Sequence, residues 1–104
     1  GMEKSYEEIL RLLEQLGRQH EGFVFRGSTS SLPAADEPVR SEAVDNLIER
    51  AMADHDGPLY VVPIGCVTNI ASAILLEPRI IERIVIVWLG GQPRYWPSAR
   101  DFNL

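Results

Sequence analysis

A turn of glycine and small polar residues follows an apolar run that has the composition of a buried strand. The run "LYVVPI" (59–64) predicts a strand, and Gly65-Cys66-Val67-Thr68-Asn69 follows it directly. Open α/β sheets bind ligands at the carboxyl ends of their strands, so this turn is a candidate site. One interpretation is that Thr68 or Asn69 caps the next helix with its side chain. The other is that a backbone carbonyl of the turn also binds a hard cation.

A second polar pair lies near the end of the chain, where Asp101 and Asn103 alternate around Phe102. In extended backbone this spacing puts the two polar side chains on one side and Phe102 on the other. A carboxylate beside a carboxamide suits a diol, because the first accepts hydrogen bonds from hydroxyls and the second both donates and accepts. Trp88 and the segment 95–96 have two open interpretations, stacking on a ring of a ligand or packing against the protein.

The other reactive side chains predict no catalytic group. Cys66 has no base near it in the sequence, which favours a small buried apolar filler over a nucleophile. As the only cysteine it excludes an internal disulfide and indicates a reducing compartment, so we expect a cytoplasmic protein. His20 and His55 lie in polar ends and turns, and we expect them to face solvent rather than form a metal pair.

Three helices and three strands are expected to position these residues. Amphipathic spacing predicts helices over 5–16, over a run that Ser41 caps, and over 69–77 before Pro78. Ser5 and Glu8 form a capping box for the first helix, and Gly17 is its predicted stop. Strands are predicted over three apolar runs, residues 23–27, 59–64 and 84–91.

This alternation predicts an α/β fold, a single domain over residues 1–104 with helices packed on a mainly parallel sheet. Each predicted strand ends in glycine, at Gly27, Gly65 and Gly90-Gly91. Because parallel strands end at one edge of a sheet, we expect these ends and the final "DFNL" segment to line one crevice. The Ser- and Pro-rich stretch 28–40 is predicted to be a long functional or disordered loop.

Composition excludes two classes of partner. The chain has 104 residues and a formal net charge of −5, which argues against nucleic acid, since phosphate binding needs a basic face. Every apolar run is broken by proline, glycine or charge before it reaches the length of a membrane span, so no membrane partner is expected. Gly1 precedes Met2 and is interpreted as a residue left by cloning.

The stretch "LYVVPIGCVTNIASAILLEPRIIERIVIVWLGG", followed by "DFNL", resembles the inosine-uridine-preferring nucleoside hydrolases. Thr-Asn-Ile-Ala, Gly-Gly and Phe-Asn occur in the family's order and spacing, and the resemblance covers nearly all of residues 5–104. It implies hydrolysis of the N-glycosidic bond of a nucleoside by a calcium-bound water, with an aspartate taking the proton of that water. It also implies that the Thr68 carbonyl is a calcium ligand, that Asp101 and Asn103 hold ribose hydroxyls, and that Leu89 lies near the sugar.

The sequence also departs from the family pattern. Asp101 stands where the family has glutamate, and neither the Asp-x-Asp-x-Gly-x-Asp-Asp motif nor the family's late His-Asp pair is found. "ADHDGP" (53–58) is no substitute, because it precedes a predicted strand and so lies opposite the crevice. A single carbonyl cannot hold calcium, which takes six to eight oxygen ligands. We therefore expect a partial domain with no catalytic residue of its own, inactive and without calcium when isolated.

Two other readings stay open, a non-catalytic α/β interaction module and one half of a split enzyme. Under each of these three interpretations the strands 59–64 and 84–91 are apolar on both faces, so other elements need to pack on both faces. Three helices cover one face well and leave a strand edge open, and such edges recruit other chains. We therefore expect a homo-oligomer.

Overall fold

The computed structural model describes residues 1–90, in which helices lie on one face of a small parallel sheet. The elements in chain order are α1 (Met2–Gln15), α2 (Glu42–Met52), β1 (Leu59–Val61), α3 (Thr68–Leu76), a 3₁₀ helix (Pro78–Glu82) and β2 (Ile84–Ile86). The two strands pair in parallel, with Leu59 opposite Ile84, and α3 with the 3₁₀ helix forms the crossover between them. Parallel strands joined by a helical crossover confirm the predicted α/β class, here as a partial sheet of two strands.

The core lies where α2, α3 and the 3₁₀ helix meet the sheet. Four of its side chains are fully buried: Val44, Ala51, Ala73 and Ile80. The residues that pack around them, partly buried, are Leu47, Ile48, Met52, Leu59, Ile74, Leu76 and Ile84. The apolar face predicted for the second helix is therefore confirmed. Among residues 1–90, no helix combines the length and the apolar character that crossing a membrane requires.

The helix ends show which capping signals are used. The Ser41 Oγ accepts a hydrogen bond from the Val44 N–H at 3.2 Å, so the predicted cap of α2 is confirmed. Gly17, at φ +68°, ends α1 as predicted. The predicted capping box is wrong, because α1 begins at Met2 and the Ser5 N–H already bonds the Gly1 carbonyl inside the helix.

The strand predicted over 23–27 is not formed. A turn precedes it, with Gly22 at φ +70°, and the next two backbone N–H groups both donate to the His20 carbonyl. Farther along, the Arg26 carbonyl accepts from the Ala43 N–H at 2.9 Å, at the start of α2. The backbone of this segment is thus bonded to a turn and a helix end, and no strand pairs with it within residues 1–90.

The two remaining strands are shorter than predicted and covered on one side. Three residues of each are assigned as strand, although the Val87 and Leu89 N–H groups continue the parallel ladder to the carbonyls of Val61 and Pro63. Within residues 1–90 the helices cover one face and leave the other largely open, as expected from so few helices, although both strands have the apolar composition of strands buried on both faces. Tyr60, on the other face, is 65% exposed.

Candidate functional site

A cavity of about 730 Å³ opens at the carboxyl end of β1. Its walls come from three segments, the amino end of α1 (Gly1, Met2, Ser5), the loop 28–31 and the turn into α3 (Gly65, Cys66, Thr68, Asn69). The volume is in the range of small-molecule sites. Two of the three glycine ends predicted to line one crevice, those at Gly27 and Gly65, therefore meet there. Gly90 is not part of the wall, and the "DFNL" segment lies outside the described residues. The contribution of α1 was not predicted, since nothing in its sequence indicates that the first residues of this helix lie beside the segment 65–69.

Asn69 joins the loop to α3. Its Oδ1 accepts hydrogen bonds from both the backbone N–H and the Oγ of Ser28, each at 2.9 Å. Its Nδ2 lies 2.6 Å from the position that a Cβ on residue 27 would occupy, so glycine at Gly27 permits this close approach. Residue types alone did not reveal this role, because an asparagine at a helix start is most often a cap.

The capping interpretation of Thr68 and Asn69 is wrong. The N-cap of α3 is Val67, and no side chain caps the helix. Thr68 is its first helical residue, so its carbonyl points along the helix toward the N–H four residues on and keeps one further lone pair. Cys66 lies in the cavity wall and is exposed, which corrects the expectation of a buried filler. The turn borders the open cavity, which leaves the thiol accessible.

Trp88 fixes the far side of the turn. Its indole Nε1–H donates to the Gly65 carbonyl at 2.9 Å, and its ring lies so close to Gly90 that a Cβ there would overlap it. This favours the packing interpretation of Trp88 over stacking on a ligand. Leu89 is 69% exposed and is not part of the cavity wall. Asp101, Asn103 and the aromatic pair 95–96 lie outside the described residues.

An ion pair fastens α1 beside the cavity. The Arg26 guanidinium lies 3.1 Å from a Glu3 carboxylate oxygen and 4.2 Å from the centre of the Tyr6 ring. The hydrogen bond to Glu3 raises the pKa of Arg26, and the nearby negative charges act in the same direction. A guanidinium is protonated throughout the physiological range with or without this shift, so the pair persists there. Both side chains are about half exposed, so the contact stabilises the position of α1 only weakly.

The His55-Asp56 pair lies at the opposite end of the sheet, as predicted. It precedes β1, whereas the cavity follows that strand. The His55 ring is exposed, with Nδ1 2.6 Å from the Gly57 carbonyl oxygen and Nε2 3.2 Å from that of Ala51. His20 is partly exposed and lies beside Glu21. Neither histidine lines the cavity at the turn, and within residues 1–90 no three metal-binding side chains cluster.

The described cavity wall mixes polar and apolar surface. It presents hydroxyl, amide and carbonyl groups, one thiol, the Met2 side chain and the amino terminus at Gly1, and within residues 1–90 it contains no carboxylate or imidazole. Calcium sites combine six to eight oxygens and usually include carboxylates. The described residues therefore do not fit calcium on their own, whereas hydroxyl and amide groups match the hydrogen-bonding needs of a polyhydroxyl ligand.

Comparison with known proteins agrees with this arrangement. The family model described as inosine-uridine preferring nucleoside hydrolase matches residues 2–104. The chain is 36% identical over 76 residues to the pyrimidine-specific ribonucleoside hydrolase RihB of Escherichia coli O1:K1 / APEC, covering 69% of this chain and 24% of that protein. It is 42% identical over 50 residues to the inosine-uridine preferring nucleoside hydrolase of Leishmania major, covering 47% of this chain and 16% of that protein.

The match is thus to one region of longer proteins. The chain spans about a quarter of the length of the curated RihB relatives. No solved structure matches it. The family model nevertheless covers the chain almost from end to end and includes the Gly65–Asn69 turn at the cavity. The chain belongs to the inosine-uridine preferring nucleoside hydrolase family.

Proposed function

We propose that this chain is a nucleoside-binding segment of a nucleoside hydrolase. The complete enzyme would convert a nucleoside and water to free base and ribose. The observation that carries the proposal is the position of the Thr-Asn-Ile-Ala motif. Its first two residues, Thr68 and Asn69, lie in the wall of a cavity of about 730 Å³, and Asn69 is hydrogen-bonded to the hydroxyl-rich loop 28–31 in the same wall. This supports a site for a neutral ligand rich in hydroxyl groups, as ribose is.

The proposed roles follow the family resemblance residue by residue. By the resemblance, Asp101 and Asn103 are proposed to hold ribose hydroxyls. Leu89 is proposed to lie near the sugar on the same ground, although it is not part of the wall of the described cavity. The Thr68 carbonyl is one oxygen ligand of a calcium ion in a complete site. Ion and substrate bind the same edge of the sheet in this proposal, which is the edge where strands of open α/β folds end.

The isolated chain is proposed to be inactive and free of bound calcium. Support comes from the donor set, since the cavity wall in residues 1–90 offers calcium neutral oxygens only. It also comes from the sequence, in which the Asp-rich motif of the family is not found. Without a group that lowers the pKa of water, attack on the anomeric carbon has no activated nucleophile. The missing ligands and base would have to come from another polypeptide segment.

Location and assembly are further parts of the proposal. A single, exposed cysteine supports a reducing compartment such as the cytoplasm. The net charge of −5 supports the absence of a nucleic-acid partner. The exposed apolar face of the sheet supports a homo-oligomer.

A titration monitored by amide NMR tests the proposed site. Ribose and uridine at millimolar concentration are expected to shift the amide signals of residues 28–31 and 65–69 with the same apparent affinity. The Asp101→Ala variant is expected to weaken these shifts, whereas Asp56→Ala, at the far end of the sheet, is expected to leave them unchanged. Shifts confined to residues around His55, or none at all, would contradict ribose binding at this cavity.

A further inference from the structure

The long loop that begins at the cavity is bonded near both of its ends to one helix. At its start, the N–H and the Oγ of Ser28 donate to Asn69 Oδ1, each at 2.9 Å. Near its end, the Val39 N–H donates to Ser72 Oγ, also at 2.9 Å. Asn69 and Ser72 are three residues apart in α3 and therefore lie on the same side of that helix. The first bond pair belongs to the described cavity wall, whereas Val39 and Ser72 lie outside it.

Glycine at position 27 is explained by the Asn69 side chain and not by the backbone. Gly27 is not one of the glycines with a positive φ, so no left-handed conformation requires glycine there. The three atoms nearest to the position of a Cβ on Gly27 all belong to the Asn69 carboxamide, with Nδ2 at 2.6 Å. Any side chain at position 27 would therefore push away the carboxamide that holds Ser28.

We propose that Asn69, which the absence of a side chain at Gly27 admits, is a positioning residue for the ligand of this cavity. The inference rests on the ribose site proposed above and deepens it by naming the residue that sets the shape of that site. By accepting both bonds from Ser28, the carboxamide fixes the backbone and the side chain of the first loop residue. The next three loop residues line the same wall, so the distance of their hydroxyl groups from the turn 65–69 depends on this anchor.

The anchor also sets the hydrogen bonds that the Ser28 hydroxyl can make in the cavity. A hydroxyl group has one proton, and the Ser28 hydroxyl donates that proton to Asn69 Oδ1. Its oxygen keeps its lone pairs, so toward a ligand it can only accept. A hydroxyl group of a ligand can donate to this oxygen, whereas an ether or carbonyl oxygen cannot. Asn69 thereby favours a ligand rich in hydroxyl groups, as ribose is.

A ribose titration of the whole chain, monitored by amide NMR, tests the positioning role. Asn69→Ala is expected to weaken ribose binding by roughly ten-fold, because the released loop is only a fraction of the time in the binding arrangement. Asn69→Asp keeps an oxygen that accepts both bonds from Ser28, so it is expected to bind about as tightly as wild type. Ser72→Ala is the matched control, because it removes a bond of the same length at the other end of the loop. We expect it to lower stability and to leave ribose affinity unchanged.

The outcomes of this titration separate the positioning role from the site itself. Wild-type affinity in Asn69→Ala would overturn the positioning role and leave the ribose site standing. An equal loss of affinity in Ser72→Ala would also overturn it, because general stability and not the anchor would then control binding. A wild-type chain that binds no ribose would overturn the ribose site and this inference with it.

Urea unfolding tests the role of Gly27 without any ligand. In the wild-type background, Gly27→Ala is expected to lower the unfolding midpoint, because the carboxamide must move and its bonds to Ser28 are lost. In the Asn69→Ala background there is no carboxamide to displace. There, Gly27→Ala is expected to leave the midpoint unchanged or to raise it, since alanine restricts the unfolded chain more than glycine does. An equal loss in both backgrounds would overturn the proposal that Gly27 admits Asn69.

Discussion

Replacing Asn69 by alanine removes one oxygen that accepts two hydrogen bonds and should loosen the loop that forms one wall of the cavity. Both bonds, from the N–H and the Oγ of Ser28, are 2.9 Å long and partly buried. A net contribution of 0.5–1.5 kcal/mol for each bond gives a loss of about 2 kcal/mol on Asn69→Ala. For a domain of this size, that loss lowers the melting temperature by roughly 8–16 °C.

Two further variants separate this bond pair from other effects of the substitution. Asn46→Ala is the matched control, because Asn46 is also an asparagine in a helix and its side chain accepts one exposed bond, from Arg50 at 3.3 Å. Asn46 lies in the interior of α2, where alanine gains the full helix propensity, and Asn69 lies in the first turn of α3, where the gain is smaller. A larger loss for Asn69→Ala, beyond this difference of a few tenths of a kcal/mol, reports the bonds to Ser28. Asn69→Asp keeps an acceptor and adds negative charge in the first turn of α3, so it should retain most of the stability.

Urea unfolding followed by circular dichroism measures these losses, and hydrogen exchange at the Ser28 amide measures the local effect. Asn69→Ala should shift the midpoint at an unchanged slope and speed exchange at Ser28 beyond the global change. If Asn69→Ala costs no more than Asn46→Ala, or if the Ser28 amide is equally protected in both, then Asn69 does not hold the loop.

Three further predictions concern the rest of the fold. Ser72 is fully buried and accepts a backbone N–H bond at 2.9 Å, so Ser72→Ala should cost about 1–3 kcal/mol in urea unfolding because it leaves that donor unpaired. Ile80→Ala should lower the free energy of unfolding by about 2–5 kcal/mol, because Ile80 is fully buried. Ile81→Ala should change it little, because Ile81 is 56% exposed. Equal losses in urea unfolding would contradict the described core. The side-chain hydrogen bond from Arg79 lowers the pKa of Glu77 below 4.5. The stabilisation that this bond gives the fold is therefore present above that pH and is lost as the pH falls through the lowered value. In a pH series below about pH 4.5, the melting temperature of Glu77→Gln should change less with pH than that of wild type.

The parts of the fold that the sequence predicts well are those with local causes. Ser41 caps α2 because its hydroxyl reaches an N–H three residues on. Gly17 ends α1 in the left-handed conformation, with the N–H of Arg18 bonded to the Leu13 carbonyl. Both features depend on a few neighbouring residues, which is why their residue types suffice. The same holds for the apolar face of α2.

The parts that failed depend on distant partners. The run 23–27 has the composition of a strand, but a strand needs a neighbour to pair with, and the backbone of this segment bonds a turn and α2 instead. Asn69 looks like a cap, yet its oxygen reaches Ser28, 41 residues earlier in the chain. The exposure of Cys66 likewise depends on what packs over the turn. Residue types gave the location of the candidate site, and only the tertiary contacts gave its walls.

Nucleoside turnover by the isolated chain tests the central claim most directly. The chain is incubated with uridine or inosine and calcium, and free base and ribose are quantified by chromatography, with a complete member of the family as the positive control. Because the described cavity offers calcium neutral oxygens only, we predict no release of uracil or hypoxanthine above the rate in buffer. Saturable release of either base that scales with chain concentration and disappears with a chelator would contradict this account.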